Sequence, residues 1–393
     1  QHIGDRFNNR LVASLGTTGF RFEIGDDNFL RFTQRSFELR EDVSWTPLRQ
    51  LTVRAGGDMR IIATDSEVRF PLPPQEGDGG PGNFSTSPVV ELMETIDNSV
   101  ASAYAAVDVR PRAGTTITTG LRLDYFDRYD AATLSPRIAI EQVLSPRWTG
   151  RLSLGSYSRG PLQAESFQDT HEPELATQYV LGVDYEIADG VKLQTSGFYT
   201  DRRALIVQDA VLAAVDPQNA YVNRGVGRSF GGEGLLRVRR DNFFGWIAYT
   251  LSRSDRVDGP MDERRLFDYD QTHNFIVVAS YQLGRWQFGG RWQLSTGSPL
   301  TPITGSLYLA DFNIYIPEYG EVNSDRLDTA HQLDLRIDYK WNFATWALSA
   351  YVDVTNVYAN PRTLGFQYNF DFSERLAIEE LPLVPALGVR GSF

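Results

Sequence analysis

The chain has 393 residues, enough for one large barrel or two or three soluble domains, and its net charge of −12 argues against nucleic acid as the main partner. It contains no Cys, which excludes disulfides, thiolate nucleophiles and zinc–thiolate sites. Hydrophobic residues make up 41% of the sequence, yet no apolar run reaches the length of about 18 residues that a transmembrane helix needs.

Alternating apolar and polar residues predict β-strands along the chain, including its first seventy residues. The segments share one apolar face and one face that carries charges of both signs. In chain order, clear cases place their apolar residues at Leu51, Val53, Ala55 and Met59; at Ile117, Leu121, Leu123 and Tyr125; at Tyr179, Leu181, Val183, Tyr185 and Ile187; and at Leu333, Leu335, Ile337, Tyr339 and Trp341. We count about 17 such segments, each of about 10 residues or more, the length that a tilted membrane strand needs.

Aromatic residues and turns mark the ends of these segments. The aromatic residues suit the two headgroup girdles of a membrane barrel and are Trp45, Trp148, Tyr157, Tyr199, Trp286, Trp341 and Trp346. Short turns are predicted at 145–147, 188–190, 284–285 and 342–345, and longer loops at 71–98, 160–173, 205–222, 256–268, 300–325 and 371–382. Alternation of short and long connections is typical of outer-membrane barrels, whose short turns are periplasmic and whose long loops are external.

These patterns predict an all-β fold, a transmembrane antiparallel meander β-barrel of about 16–22 strands that occupies residues 1–393. Leu181, Val183, Leu335 and Ile337 are predicted to face lipid. The residues predicted to line the lumen are Arg122, Asp184, Glu186, Arg336 and Asp338. A closed bacterial barrel normally has an even number of strands, so a count of about 17 indicates either one miscounted strand or an incomplete barrel. A soluble protein with several sheets is the weaker alternative.

The last seven residues predict the strand that closes the barrel. Leu387, Val389 and Phe393 fall on one face, while Gly388, Arg390 and Ser392 fall on the other. An amphipathic strand that ends on an outward aromatic residue is typical of an outer-membrane barrel. A soluble antiparallel sheet that ends in Phe is the other interpretation.

Two basic residues are candidates for ligand contact in the lumen. Arg237 and Arg239 lie two residues apart on a predicted strand, so both side chains share the polar face and could meet an anionic ligand. The alternative is that they pair with carboxylates on neighbouring strands.

Other polar signals predict surface or rim positions rather than sites. His171 is predicted to lie in a surface loop, because one His with scattered carboxylates does not form a metal-ligand set. Residues 75–82 lack the ligand spacing of a calcium loop. His273 and His331 are predicted at the rim or girdle. No Ser/His/Asp arrangement has a nucleophile context, so the sequence predicts no enzyme, no cofactor and no metal site; an outer-membrane hydrolase is an unsupported alternative.

Several motifs, taken in order, resemble those of TonB-dependent receptors over residues 100–393. They are Ser135-Pro136-Arg137-Ile138-Ala139-Ile140, Trp148-Thr149-Gly150-Arg151-Leu152-Ser153, Tyr157-Ser158-Arg159-Gly160-Pro161, Pro173-Glu174-Leu175, the stretch 179–185, the stretch 267–274, Ser295-Thr296-Gly297-Ser298-Pro299 and Asp353-Val354-Thr355-Asn356-Val357-Tyr358. The family barrel has about 22 strands and a plugged lumen. No plug, coupling box or signal peptide is visible here, so we expect the C-terminal three-quarters of such a barrel, or a plugless relative.

The resemblance implies an outer-membrane receptor or transporter of a Gram-negative bacterium that takes up a scarce solute: a siderophore, a cobalamin, a glycan or a peptide. The implied partners are outer-membrane lipid, a plug domain or plug protein, TonB-type energy coupling if a plug is present, and the barrel-assembly machinery. The alternative function is a passive outer-membrane channel, or a structural barrel that docks other envelope proteins.

Overall fold

The computed structural model describes residues 2–3, 6–24, 28–71, 89–161, 171–209, 212, 221–259 and 263–393. Within these residues the chain forms strands and turns. The strands, in chain order, are β1 (His2–Ile3), β2 (Phe7–Ile24), β3 (Asn28–Leu48), β4 (Leu51–Pro71), β5 (Val89–Val109), β6 (Thr115–Phe126), β7 (Ala131–Ser145), β8 (Trp148–Arg159), β9 (Glu174–Ala188), β10 (Val191–Gln208), β11 (Tyr221–Arg240), β12 (Phe243–Val257), β13 (Arg265–Leu266), β14 (His273–Leu283), β15 (Trp286–Ser295), β16 (Pro299–Leu300), β17 (Ile303–Leu309), β18 (Ile314–Tyr319), β19 (Asp325–Arg326), β20 (Ala330–Asn342), β21 (Ala347–Thr355), β22 (Thr363–Tyr368), β23 (Arg375–Glu379) and β24 (Val384–Ser392).

One antiparallel sheet contains eighteen of these strands, and each long strand pairs with the next long strand along the chain. The predicted all-β meander is therefore confirmed. Two of the eighteen, β1 and β13, have only two residues each, which leaves sixteen long strands instead of the predicted count of about 17. Among the described residues, β24 pairs with β21, and β2 pairs with β3 and, at its first residues, with β1. Because no pairing joins β2 to β24 there, closure by the last strand stays a prediction.

The two faces of the sheet follow the alternation of the sequence. Directly paired residues share a face, as Leu152 and Leu181 do between β8 and β9. On that face Leu181 is 64% exposed and Leu335 is 43% exposed, whereas Asp184, on the other face, is only 7% exposed. We call the face that carries Arg122, Asp184 and Arg336 the lumen face, and the opposite face the outward face. This division agrees with the predicted sets of lumen-lining and lipid-facing residues.

The two ends of the sheet differ in their connections. At the short-turn end, neighbouring strands are joined by between two and five residues, as at 189–190 and 284–285. At the loop end most connections are longer, although β6 and β7 are joined by a single 3₁₀ turn at Asp127–Tyr129. This is the predicted alternation; that the loop end is the external side stays a prediction. Among the described residues, no helix has the length and apolar character required to cross a membrane.

Several predicted loops prove to contain strands. The predicted loop 71–98 is too long, because β5 begins at Val89 and continues the pairing with β4. The predicted loop 300–325 contains the hairpin β17–β18, and the predicted loop 371–382 contains β23, which pairs with β22. These segments were predicted as loops because they contain Gly, Pro, Asp and Asn residues. In β17–β18, however, two short apolar runs pair on either side of a turn in which Asn313 has a left-handed backbone (φ 52°).

Candidate functional site

Ion pairs cover the lumen face of the strands β4 to β6. The Arg122 guanidinium lies between two carboxylates, with Nη1 2.9 Å from Asp58 Oδ1 and Nε 2.8 Å from Asp124 Oδ1. The Ser102 hydroxyl donates to the same Asp124 oxygen at 2.7 Å. These four side chains come from three neighbouring strands, so Arg122 is neutralised both along its own strand, by Asp124, and across the sheet, by Asp58.

The same arrangement recurs around Asp184 on β9. Lys192 Nζ lies 2.9 Å from Asp184 Oδ2, Gln194 Nε2 donates to that oxygen at 3.0 Å, and Arg151 donates to Oδ1. Lys192 also approaches Glu186 at 3.8 Å. The carboxylate of Asp184 therefore receives donors from both neighbouring strands, which explains why this charged side chain is almost fully buried.

Near the C-terminus, Arg336 organises the lumen face of β20, β21 and β24. It pairs with Asp338 at 2.8 Å and approaches Asp353 at 3.4 Å, and its guanidinium carbon lies 3.9 Å from the centre of the Tyr351 ring. The Tyr351 ring in turn covers Gly388, where an added Cβ would lie 2.3 Å from the ring. A glycine on the last strand is thus required for this stack.

Arg237 and Arg239 lie on the lumen face, as predicted, but near the short-turn end. Arg237 is paired in register with Lys192 on one side and Trp246 on the other. The Arg239 guanidinium carbon lies 5.5 Å from the centre of the Phe244 ring. Within the described part of the chain, neither arginine forms an ion pair with a carboxylate, in contrast to Arg122 and Arg336. The two arginines and two aromatic rings therefore form a basic, partly apolar patch at the end of the lumen remote from the long connections.

Charged and amide side chains at the loop end form a network, which we call the outer lock. Its members are Arg228, Asp255, Arg256, Asp258, Arg264, Arg265, Asp268, Asp270, Asn323 and Arg326. Its first half is centred on Asp255, whose carboxylate is fully buried and lies 3.0 Å from Arg228 Nε and 2.5 Å from Arg264 Nη1. Arg256 and Arg265 both donate to Asp258. These ion pairs hold the connection between β12 and β14 against β11 and β12.

The second half of the outer lock joins two separate connections. Asp270 is 2% exposed; it pairs with Arg326 at 2.5 Å and accepts a hydrogen bond from the Ser254 backbone N–H at 2.6 Å. The Asn323 side-chain amide donates to Asp268 at 2.5 Å. Asp268 and Asp270 belong to one connection, and Asn323 and Arg326 belong to the next. These contacts hold both long connections in one arrangement over the sheet.

Beneath the outer lock, the lumen face carries a cavity of about 240 Å³. Its wall is formed by hydroxyl-bearing and amide-bearing residues, two aromatic residues and two charged residues: Phe198, Ser229, Thr250, Ser252, Arg253, Ser254, Tyr269, Asp270, Gln271 and Asn274. Ser229 and Ser254 hydroxyls are 2.7 Å apart at its edge. A wall of this kind can hydrogen-bond a polar solute and pack against one flat side of it. Sequence reasoning missed this cavity, because its residues come from four strands and one loop.

The two hairpins that project at the loop end are joined by aromatic contacts. The Tyr315 ring centre is 4.9 Å from that of Tyr308 and 5.5 Å from that of Phe370, and the Ser306 hydroxyl donates to the Asp371 carbonyl at 2.7 Å. Phe370 remains 65% exposed. The hairpins β17–β18 and β22–β23 therefore form one aromatic surface at the loop end.

Three histidines have side chains that the structure describes: His171, His273 and His331. His171 was predicted at the surface, but it is only 3% exposed, because reciprocal backbone–side-chain hydrogen bonds between Glu172 and Asn223 draw this segment onto β11. His273 and His331 accept or donate one hydrogen bond each with Tyr249 and Tyr358 near the strand ends. The candidate calcium loop at 75–82 lies outside the described residues. Across the described ranges, no three His, Asp or Glu side chains are grouped to hold a metal ion.

Solved structures of transporters and receptors share this fold. The ferric citrate transporter FecA in its unliganded form matches with a TM-score of 0.65 at 13% identity, over 98% of this chain and 59% of that chain. The ferripyoverdine receptor of the outer membrane of Pseudomonas aeruginosa matches with 0.66 at 13%, over 98% and 54%. The siderophore receptor PirA from Acinetobacter baumannii matches with 0.66 at 12%, over 98% and 60%. At these identities the likeness shows the fold alone, and this chain spans little more than half the length of those proteins.

Sequence comparison identifies the family. No curated protein sequence matches the chain. The family model described as TonB dependent receptor-like, beta-barrel matches residues 2–357. This match covers most of the main sheet and includes the motifs from which the resemblance was drawn, except the last residue of the final motif, Tyr358. The chain therefore belongs to the TonB-dependent receptor-like β-barrel family.

Proposed function

We propose that this chain is the membrane-embedded part of a Gram-negative outer-membrane receptor that takes up a scarce polar solute. The observation that carries the proposal is the cavity of about 240 Å³ on the lumen face, directly beneath the outer lock. A solute that enters from the loop end reaches this cavity before it reaches the basic patch at Arg237 and Arg239. The proteins with the same fold include a ferric citrate transporter and two receptors for iron-chelating compounds, which supports an iron chelate as the first solute to test.

The proposed transport involves no covalent chemistry. The loop end captures the solute, and hydroxyl and amide groups of the cavity hold it by hydrogen bonds that replace those to water. Arg237 and Arg239 supply positive charge farther along the lumen, where an anionic solute would next be attracted. We propose these two arginines as contacts during passage and the cavity as the first binding position.

The proposed partners follow from the family. A plug domain or plug protein blocks the lumen, TonB-type coupling displaces it, and the assembly machinery inserts the barrel into outer-membrane lipid. The strand edges of β2 and β24, which are not joined to each other in the described residues, support the proposal that residues 1–393 are part of a larger barrel that further strands complete.

The test is an uptake assay with the full-length receptor in a Gram-negative host that lacks its own ferric-chelate receptors. Ferric citrate, a ferric hydroxamate, a ferric catecholate, cobalamin and an oligosaccharide are supplied in turn, with and without a functional coupling protein. We expect uptake of one class that depends on coupling. Ser252→Leu should reduce it at least tenfold by filling the cavity, whereas Ser280→Leu, on the lumen face near the short-turn end, should leave it within about twofold.

The outcomes separate the candidate functions. Uptake of every small solute without coupling would favour the passive channel. Absence of uptake for all solutes, with the barrel folded and surface-exposed, would favour a structural barrel that docks envelope proteins. Equal loss with Ser252→Leu and Ser280→Leu would contradict the cavity as the binding position.

A further inference from the structure

The outward side chains of β2 to β6 lie in five rows of paired residues, which we call the grid. The strands β2 to β5 each contribute five residues to it, and β6 contributes four. Its rows, read across neighbouring strands from the short-turn end, are Phe7-Trp45-Val53-Val107-Thr119, Asn9-Val43-Ala55-Ala105-Leu121, Leu11-Glu41-Gly57-Ala103-Leu123, Ala13-Leu39-Met59-Ala101-Tyr125 and Leu15-Phe37-Ile61-Ser99. Within this grid Glu41 is the only Asp, Glu, Lys or Arg. It lies in the third row, flanked by Leu11 and Gly57.

Its position along the strand places Glu41 near the middle of the apolar band. It is four residues from Trp45, which is about 13 Å along a strand and about 10 Å in depth for a strand tilted by about 40°. The apolar band of an outer-membrane barrel is about 25 Å tall. The carboxyl group of Glu41 is therefore directed toward hydrocarbon, close to mid-depth.

The surroundings of Glu41 satisfy it only in part. Asn9 Nδ2 donates to Glu41 Oε1 at 2.8 Å, and no described residue donates to Oε2. The grid itself offers no cation that could pair with this carboxyl group. A polar group in this position is costly unless it is paired, and intramembrane ionisable residues are retained where they bind a partner.

The surface beside Glu41 also permits close approach. Gly57 and Ala103 follow it in the third row, and Ala55 and Ala105 lie in the second. Two adjoining outward grooves of about 410 and 590 Å³ share Val53 and extend from Phe7 to Tyr179. Small side chains allow a neighbouring backbone to approach closely, as they do where transmembrane helices pack against one another.

We propose that Glu41, with Asn9 and the small residues beside it, is a lateral contact site for a second membrane protein whose membrane-spanning segment presents a Lys or Arg at mid-depth. Charge complementarity selects this occupant, because a carboxyl group in hydrocarbon is satisfied best by a cation. A second copy of the chain would bring only another Glu41 and an Asn9 that already donates. A lipid tail would fill the grooves but leave the carboxyl group unpaired.

The test is photo-crosslinking of the receptor in its own outer membrane. A diazirine-bearing amino acid is placed at Leu39, which is on the outward face two residues from Glu41 and is 38% exposed. We expect an adduct with another protein, and mass spectrometry should locate the crosslink in a membrane-spanning segment that contains Lys or Arg. Glu41→Leu should reduce the adduct at least tenfold and Glu41→Gln several-fold. Leu15→Ala, in the fifth row, should leave it unchanged.

Three results would overturn the proposal: adducts with lipid alone, adducts with a second copy of the receptor, or a protein adduct that Glu41→Leu does not reduce. Heat-modifiable gel mobility checks that each variant is folded. A second probe at Val352, on the outward face of β21 and 47% exposed, should give lipid adducts only. Absence of lipid adducts at Val352 would contradict the proposed membrane location, on which the lateral contact rests. Lipid adducts at Val352 without a protein adduct at Leu39 would contradict the lateral contact alone.

Discussion

The short-turn end and the loop end of the sheet are ordered by different interactions. At the short-turn end, connections of only two to five residues join neighbouring strands, and the stacked ring centres of Phe343 and Trp346, both in the connection between β20 and β21, are 4.2 Å apart. At the loop end, the outer lock joins residues more than fifty positions apart, as Arg326 and Asp270 show. Local sequence is therefore enough to form the first end, while the second depends on contacts between separate connections.

The same difference extends to function. The proposed binding cavity lies under the end that long-range ion pairs hold in place, and the basic patch of Arg237 and Arg239 lies at the other end. A site that must recognise one solute needs fixed walls, which the buried carboxylates of the outer lock provide. Four substitutions or conditions test this contrast.

The first and largest effect concerns the membrane band that separates the two ends. Leu335→Arg places a charge on the outward face, so we expect a loss of about 2–4 kcal/mol in the free energy of unfolding. Asp338→Asn, three residues away on the lumen face, should cost less than about 1 kcal/mol because Arg336 keeps Asp353 as a partner. Denaturant titration in lipid measures both, and equal costs would contradict the assignment of the two faces.

The second test removes the centre of the outer lock. Asp270→Ala should remove the carboxylate that accepts from Arg326 and from the Ser254 N–H. We expect it to destabilise the two connections locally by about 2–3 kcal/mol, since Arg326 is partly open to water and keeps the Gly297 carbonyl and the Thr272 hydroxyl as acceptors. Hydrogen exchange at 263–272 and 320–329 should accelerate about 30- to 150-fold, while the short-turn end stays protected. Asp311→Ala, at the exposed tip of the β17–β18 hairpin, is the control and should change neither segment.

The third test concerns two turns at the short-turn end. Gly190 has φ +72°, and an added Cβ would lie 2.1 Å from the Arg239 carbonyl oxygen, whereas Gly284 has φ +59° with no atom within 4 Å. Gly284→Ala should therefore cost about 1 kcal/mol from backbone strain alone, and Gly190→Ala about 2 kcal/mol. Unfolding midpoints in lipid compare them. A larger loss for Gly284→Ala would show that strain, rather than the contact with β11, limits these turns.

The smallest effect is a pH response of the β22–β23 hairpin. The Ser373 hydroxyl and backbone N–H donate to Asp371, which lowers the pKa of this carboxyl group below its usual value. A lowered pKa means that the contribution to stability is present above the unfolded value of about 3.9 and is lost as the pH falls through the folded value. The protection factors of the β22–β23 amides, in which the intrinsic pH dependence of exchange is divided out, should fall at low pH in the wild type. In Asp371→Asn this fall should be absent, and its persistence there would assign the response to another group.

Much of the main sheet was predictable from the sequence, because strand alternation has a period of two residues and survives in any tertiary context. Leu181 and Asp184 could be assigned to opposite faces without coordinates, and so could Leu335 and Asp338. The hairpins β17–β18 and β22–β23 were missed, because turn-forming residues obscured short apolar runs. His171 was placed wrongly at the surface, since its burial depends on hydrogen bonds between Glu172 and Asn223, 51 positions apart.

The sequence alone determined the fold class, the order of the strands and the face on which most side chains lie, because these depend on periodicity and on turns between neighbours. Only the tertiary structure decided which charges meet. It showed that Asp58, Arg122 and Asp124 form one ion-paired group, and that Arg237 and Arg239 have no carboxylate partner among the described residues. It also placed Glu41 in the middle row of an otherwise uncharged outward grid. Register between strands sets these contacts, and a single strand's sequence does not encode which residues of its neighbour lie opposite.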